Sequence, residues 1–135
     1  MDSKIKTFED ACTLLNYPTS LPSDLGNVFP EKHIKAIIAD YQLGIITEAL
    51  NMEANDGNPW EPNWNDWDER KYYPWPTVEA SNERPSGSGF SGRGCVCDSS
   101  GTGVGSRHCF KTRELVYYAF EQFNDLYQAK LLLIK

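Results

Sequence analysis

No apolar run in this chain approaches the ~20 residues that a membrane span needs. No basic segment leads into an apolar one, so no export signal is readable. Histidine is scarce. His33 and His108 are the only two, and neither is paired with a serine or cysteine in a recognisable nucleophile arrangement. Basic residues are outnumbered, 13 against 19 acidic ones. The resulting net charge of -6 argues against a general binder of phosphate backbones. What the chain does have is apolar and aromatic content, 40% and 13%, too much for a disordered chain. Its 135 residues suit one domain, since two cores would each be small.

Four cysteines are present: Cys12, Cys95, Cys97 and Cys109. Without an export signal, reduced thiols are the default. Cys95, Cys97, His108 and Cys109 offer three thiols and an imidazole, in principle a tetrahedral zinc set. The C-x-C pair is tighter than the usual C-x(2–4)-C knuckle. Free cysteines acting as small strand residues are therefore preferred to zinc or to a Cys97–Cys109 disulfide. No cofactor is expected.

Thr7 to Asn16 reads as a short helix. Thr7 is the N-cap, with Asp10 completing a capping box. Phe8, Ala11, Cys12 and Leu15 share one face, and Tyr17-Pro18 ends the segment. A second helix is predicted from about Pro30 to Asn51. Ile34, Ile37, Ile38, Tyr41 and Ile45 form one apolar row, and Ala36, Ala39, Leu43, Ile46 and Leu50 a second. Two adjacent rows predict a central helix buried on most of its circumference. Gly44 sits in its middle, where close packing against a neighbour would justify it. The last segment, Thr112 to about Leu133, reads as one long helix capped by Thr112. Its apolar row is Val116, Phe120, Phe123, Tyr127 and Leu131.

Between the long helices the pattern changes. Residues 52–71 form an acidic, tryptophan-rich connector, read as an ordered irregular loop. Tyr72, Tyr73, Trp75, Thr77 and Val78 favour a strand, and Pro74 and Pro76 confine it to an edge or a bulge. Residues 81–105 are Gly-rich and read as hairpin. Phe90 to Cys97 is a second strand broken by Gly92 and Gly94, and Val104 to Phe110 a possible third. The fold class expected is α+β in the order α-α-β-β-β-α. A small antiparallel sheet of two to three strands would be covered by two long helices and a short N-terminal one, in a single domain over residues 1–135.

Four strings, KTFEDACTLL, HIKAIIADYQLGIITEALN, PNWNDWDERKYYPW and VGSRHCFKTRELVYYAFEQFNDLY, cover most of the chain from about Lys4 to Leu133. Together they resemble a family of short uncharacterised proteins encoded by phages and mobile elements of gut bacteria. The resemblance implies a phage-related origin, and a place in the cytoplasm of an infected bacterial cell or in the virion. It brings no catalytic residues. The stretch from Arg84 to Gly103 departs from that family's pattern, where aromatic and polar residues are expected.

All four tryptophans, Trp60, Trp64, Trp67 and Trp75, fall within sixteen residues. Exposed indoles beside carboxylates suit a protein partner. Trp60, Trp64, Trp67, Asp66 and Asp68 are the candidate partner-binding set, with Trp60 and Trp64 the best surface candidates and Trp75 expected in the core. The competing reading folds these rings back to seal the core. Asp66, Asp68 and Glu69 lack EF-hand spacing and read as solvated charge. SGSGFSGRG lacks a phosphate-loop lysine. Arg107, Lys111 and Arg113 form a basic patch near His108 and Phe110, conceivable as a nucleic-acid contact but more simply paired with the acidic loop. The leading expectation is a non-enzymatic accessory protein acting by protein–protein interaction with an unknown partner, a host factor or virion component. Carbohydrate binding by the tryptophans and nucleic-acid binding by residues 107–113 are the alternatives.

Overall fold

A computed structural model describes residues 1–133. The helices are α1 (Phe8–Leu15), α2 (Glu31–Ala54), α3 (Arg113–Gln122) and α4 (Asn124–Leu131), with a single 3-10 turn at Leu25–Asn27. The strands are β1 (Lys71–Pro74), β2 (Thr77–Glu79), β3 (Gly89–Ser91) and β4 (Cys95–Asp98). This is an α+β fold with a short N-terminal helix, as the residue pattern predicts. Among the described residues, no helix is long and apolar enough to cross a membrane.

Local signals set the helix starts. The Thr7 hydroxyl accepts from the Asp10 N–H at 3.0 Å, and the Asp10 carboxylate accepts from the Thr7 N–H at 3.1 Å. Thr112 accepts from the Leu115 N–H at 3.2 Å. The core joins Ala11 and Cys12 of α1 to Leu43, Ile46 and Leu50 of α2, and these to Phe110, Val116, Phe120 and Tyr127. Segment 3–6 is tied down from two sides. Tyr118 donates to the Ile5 carbonyl, Gln122 to the Lys6 carbonyl, and Ser3 to Glu53.

Helix α2 is buried only from Ala39 onward. Ile37 and Tyr41 are exposed, and Ile34 and Ile38 are half-buried. The expectation of burial around most of its circumference fails for the first turns, up to Ile38. The single C-terminal helix is also two. Phe123 leaves helical angles, at φ -115° and ψ 30°. The break lets α3 lie on β1 while α4 packs along α2. Val116, Phe120, Phe123 and Tyr127 are buried as the row predicts, but Leu131 is exposed.

The strands form two antiparallel ribbons rather than one sheet: β1 pairs with β4, and β2 with β3. Together they make one long hairpin with a dislocation. Lys71 faces Asp98 and Pro74 faces Cys95, whereas Thr77 faces Ser91. Two residues, Trp75 and Pro76, therefore oppose three, Gly92 to Gly94, which is a bulge. The Trp75 N–H donates to the Gly94 carbonyl at 3.0 Å. A Cβ on Gly94 would overlap the Trp75 carbonyl. The proposed third strand, Val104 to Phe110, reduces to a single bridge between Phe110 and Tyr72. Its neighbours are held by a side chain instead. Buried Asn51 of α2 donates to the Cys109 carbonyl at 2.9 Å and accepts from the Lys111 N–H at 2.9 Å.

Gly94→Ala should destabilise the fold by more than about 2 kcal/mol, because the clash is with backbone that cannot rotate away. Urea denaturation checks it. The neighbouring Gly101, with nothing near its Cβ position, should tolerate alanine within about 0.5 kcal/mol.

Candidate functional site

The tryptophan connector is ordered around a buried cation. Lys71 begins β1 and is 0% exposed. Its ammonium donates to the Asp66 carbonyl at 2.8 Å and to the Ser99 carbonyl at 2.6 Å. The Glu69 carboxylate lies 3.6 Å away, and the Trp64 ring stands over it at 5.2 Å. Carbonyls, a carboxylate and an aromatic face together replace the water this charge has lost. Trp64 is fixed further by its indole N–H, which donates to the Ser106 hydroxyl at 2.8 Å. The Ser100 hydroxyl donates to the Trp64 carbonyl. Further along the loop, the Asn63 N–H donates to Glu69, and Asp66 and Asp68 form a short side-chain turn.

The four rings separate by environment. Trp60 and Trp64 are half-buried. Both line a polar groove of about 480 Å³ over α2, closed on one side by Arg107. Trp67 is exposed, at 72%, between exposed Asp66 and Asp68. Trp75, expected in the core, is 62% exposed. The prolines on either side and the bulge beneath turn its ring outward, edge-on to Tyr73 at 6.4 Å. The sequence signal was there in Pro74 and Pro76, which argue against a fully packed strand at that point.

Around Trp75 lies a second surface that the sequence reading missed. Trp75, Val78 and Leu131 are exposed and rim an apolar cleft of about 340 Å³ between the hairpin and α4. Phe90, Tyr127 and Leu132 line it, and among the described residues His108 and Lys130 are its only ionisable groups apart from tyrosine hydroxyls. His108 is buried, with Nε2 3.1 Å from Asp40 and Nδ1 without a partner among the described residues. Lys130 reaches the same Asp40 oxygen at 3.4 Å. Burial, then the Lys130 charge, pushes the His108 pKa below 6.5 against the opposing pull of Asp40. Burial likewise lowers that of Lys130. Leu131 sat in a row read as core, so periodicity alone pointed the wrong way there.

The three bases of the patch have separate neighbours. Arg107 lies over Gly44 of α2, Lys111 donates to Asn55 at 2.7 Å, and Arg113 stacks on Tyr72 at 5.4 Å. None of the three is ion-paired with the acidic loop among the described residues; that pairing falls to Lys71. Cys95, Cys97, His108 and Cys109 do not form a metal site either. Among the described residues, no three histidine, cysteine or acidic side chains converge. All four cysteines are free. Cys109 is buried and donates to the Gly105 carbonyl, and burial pushes its thiol up to about 11.

Comparisons with family models, with curated proteins and with solved structures each give no match.

Two outcomes follow from these geometries. Lys71→Met leaves the Asp66 and Ser99 carbonyls unpaired and should cost roughly 1–3 kcal/mol. Tryptophan emission should shift to longer wavelength as Trp64 is released. His108 is harder to protonate folded than unfolded, so below pH 6.5 the unfolded chain takes up the proton first. Its contribution to stability should therefore fall as pH drops through 6.5. Denaturation midpoints between pH 5 and 8 should show a shallower pH dependence in His108→Gln.

Proposed function

We propose that this chain is a non-enzymatic, phage-related accessory protein that works by binding another protein. It acts in the cytoplasm of the infected cell or on the virion, without a cofactor. The observation that carries this reading is the apolar cleft between the hairpin and α4. Trp75, Val78 and Leu131 stand exposed together around its mouth. Isolated exposed apolar residues are ordinary, but a clustered set around a concavity is the usual mark of a docking site. Tryptophan in particular supplies a large, rigid contact at low entropic cost. The partner presents an apolar side chain to the cleft. Trp67, with Asp66 and Asp68, gives a second aromatic and acidic contact on the connector.

The test is affinity capture from infected host cells with wild type and with a Trp75→Ser, Leu131→Ser double variant. Both positions are exposed, so the variant should keep its circular dichroism and melting temperature. A partner retained by wild type and lost by the variant, then rebound as purified protein with at least about 10-fold weaker affinity for the variant, supports the reading. Equal recovery by both proteins would overturn it.

A further inference from the structure

The groove under Trp60 and Trp64 differs in chemistry from the apolar cleft, and its polar groups are largely unspent. Trp60 presents a half-buried indole on one side. Trp64 is held at a fixed angle by Ser106 and by Lys71 behind it. Glu61 makes no hydrogen bond among the described residues, and neither does the Arg107 guanidinium. Glu48 uses one oxygen to accept from Tyr17 at 2.7 Å and keeps the other. The groove thus offers free acceptors on two carboxylates, free donors on one guanidinium, and two aromatic faces within about 480 Å³. That volume falls inside the range of roughly 300–1,000 Å³ usual for small-ligand sites.

Arg107 is placed there by the helix beneath it. A Cβ on Gly44 would come within 2.5 Å of its terminal nitrogen. Gly44 is the small residue that lets the guanidinium approach α2 closely, which accounts for a glycine in the middle of the helix. The floor is fixed too. Asn51 has both ends of its amide engaged, and Thr47 donates to the Leu43 carbonyl. The floor and the Trp64 ring are thus preorganised, and unpaired groups stand at the walls.

We propose that this groove binds a short, uncharged saccharide. A sugar ring has an apolar C–H face that suits the negative face of an indole. Its hydroxyls donate to carboxylates and accept from a guanidinium at the same time, which matches the mixed set on these walls. Nucleic acid fits poorly, because Glu48 and Glu61 repel phosphates. A basic peptide meets Arg107. The site is separate from the apolar cleft and does not depend on the protein-binding reading.

The experiment is an array of neutral and N-acetylated oligosaccharides, with hits followed by calorimetry and by the indole and guanidinium NMR signals. A saccharide should bind and shift the side-chain signals of Trp60 and Arg107. Trp60→Ala should weaken it by roughly 10-fold or more, the usual effect of losing one stacking face. Glu61→Gln and Arg107→Gln, both at exposed positions, keep the test valid if Trp60→Ala unfolds, and each should also weaken binding. Gly44→Ala should do so with α2 intact by circular dichroism. Absence of any array hit would overturn the proposal. So would binding that is indifferent to these substitutions, or tighter binding to oligonucleotides or to a polylysine peptide than to any sugar.

Discussion

The structure turns on the burial of one ammonium group. Lys71 stands at the joint between the connector, the first strand and the turn after β4, and its ammonium is bonded to backbone from two of these. A buried lysine is costly unless its charge is met on every side. Here two carbonyls, Glu69 and the Trp64 ring meet it. The connector contains no helix or strand between α2 and β1, so no ladder of backbone bonds holds it in shape. Lys71 supplies that constraint from the loop's end, where β1 begins. Through Trp64 it sets one wall of the polar groove, and through Asp66 it sets where Trp67 leaves the surface.

The elements read well from sequence are those whose cause is local. Thr7 with Asp10 and Thr112 needed only their own neighbours to be recognised as caps. The glycines at 92 and 94 and the prolines at 74 and 76 marked a strand that could not run straight, and the bulge lies among them. What failed needed tertiary knowledge. Ile34 and Ile37 continue an apolar row, but a row says only that a face can be buried, not that a neighbour covers it. The break at Phe123 carries no proline or glycine, and its cause is that α3 and α4 answer to different partners. Trp75 looked like core because aromatic residues in strands usually are. Its placement outside follows from the register offset that Pro74, Pro76, Gly92 and Gly94 mark, a signal that strand propensity by itself overrides. The groove was half legible. Trp60, Trp64, Gly44 and Arg107 were each singled out separately, whereas the meeting of the connector, the Gly44–Glu48 turn of α2 and Arg107 exists only in the fold.

The two concave surfaces divide the chemistry of the molecule. The polar groove takes its walls from the connector and its floor from α2, with acidic and basic groups left free at the rim. The apolar cleft takes its walls from the hairpin and α4, with His108 and Lys130 both turned toward Asp40. Helix α2 contributes to both: Gly44, Thr47 and Glu48 on one side, Asp40 on the other. From Asp40 onward the helix is thus core, floor and counter-charge at once, which leaves few positions on those turns free to change.

The dislocation in the hairpin bears on solubility. A straight ribbon with an exposed tryptophan and valine would offer a neighbour a continuous unpaired backbone edge, the template on which chains aggregate. Here each ribbon is only three or four residues long, and the offset at Trp75 and Pro76 breaks the edge into short pieces. Pro74 and Pro76 also remove two donors from it. The outward-facing side chains are therefore displayed on a frame that gives little purchase to strand addition. Whatever approaches this face must recognise ring and methyl surface, not peptide groups.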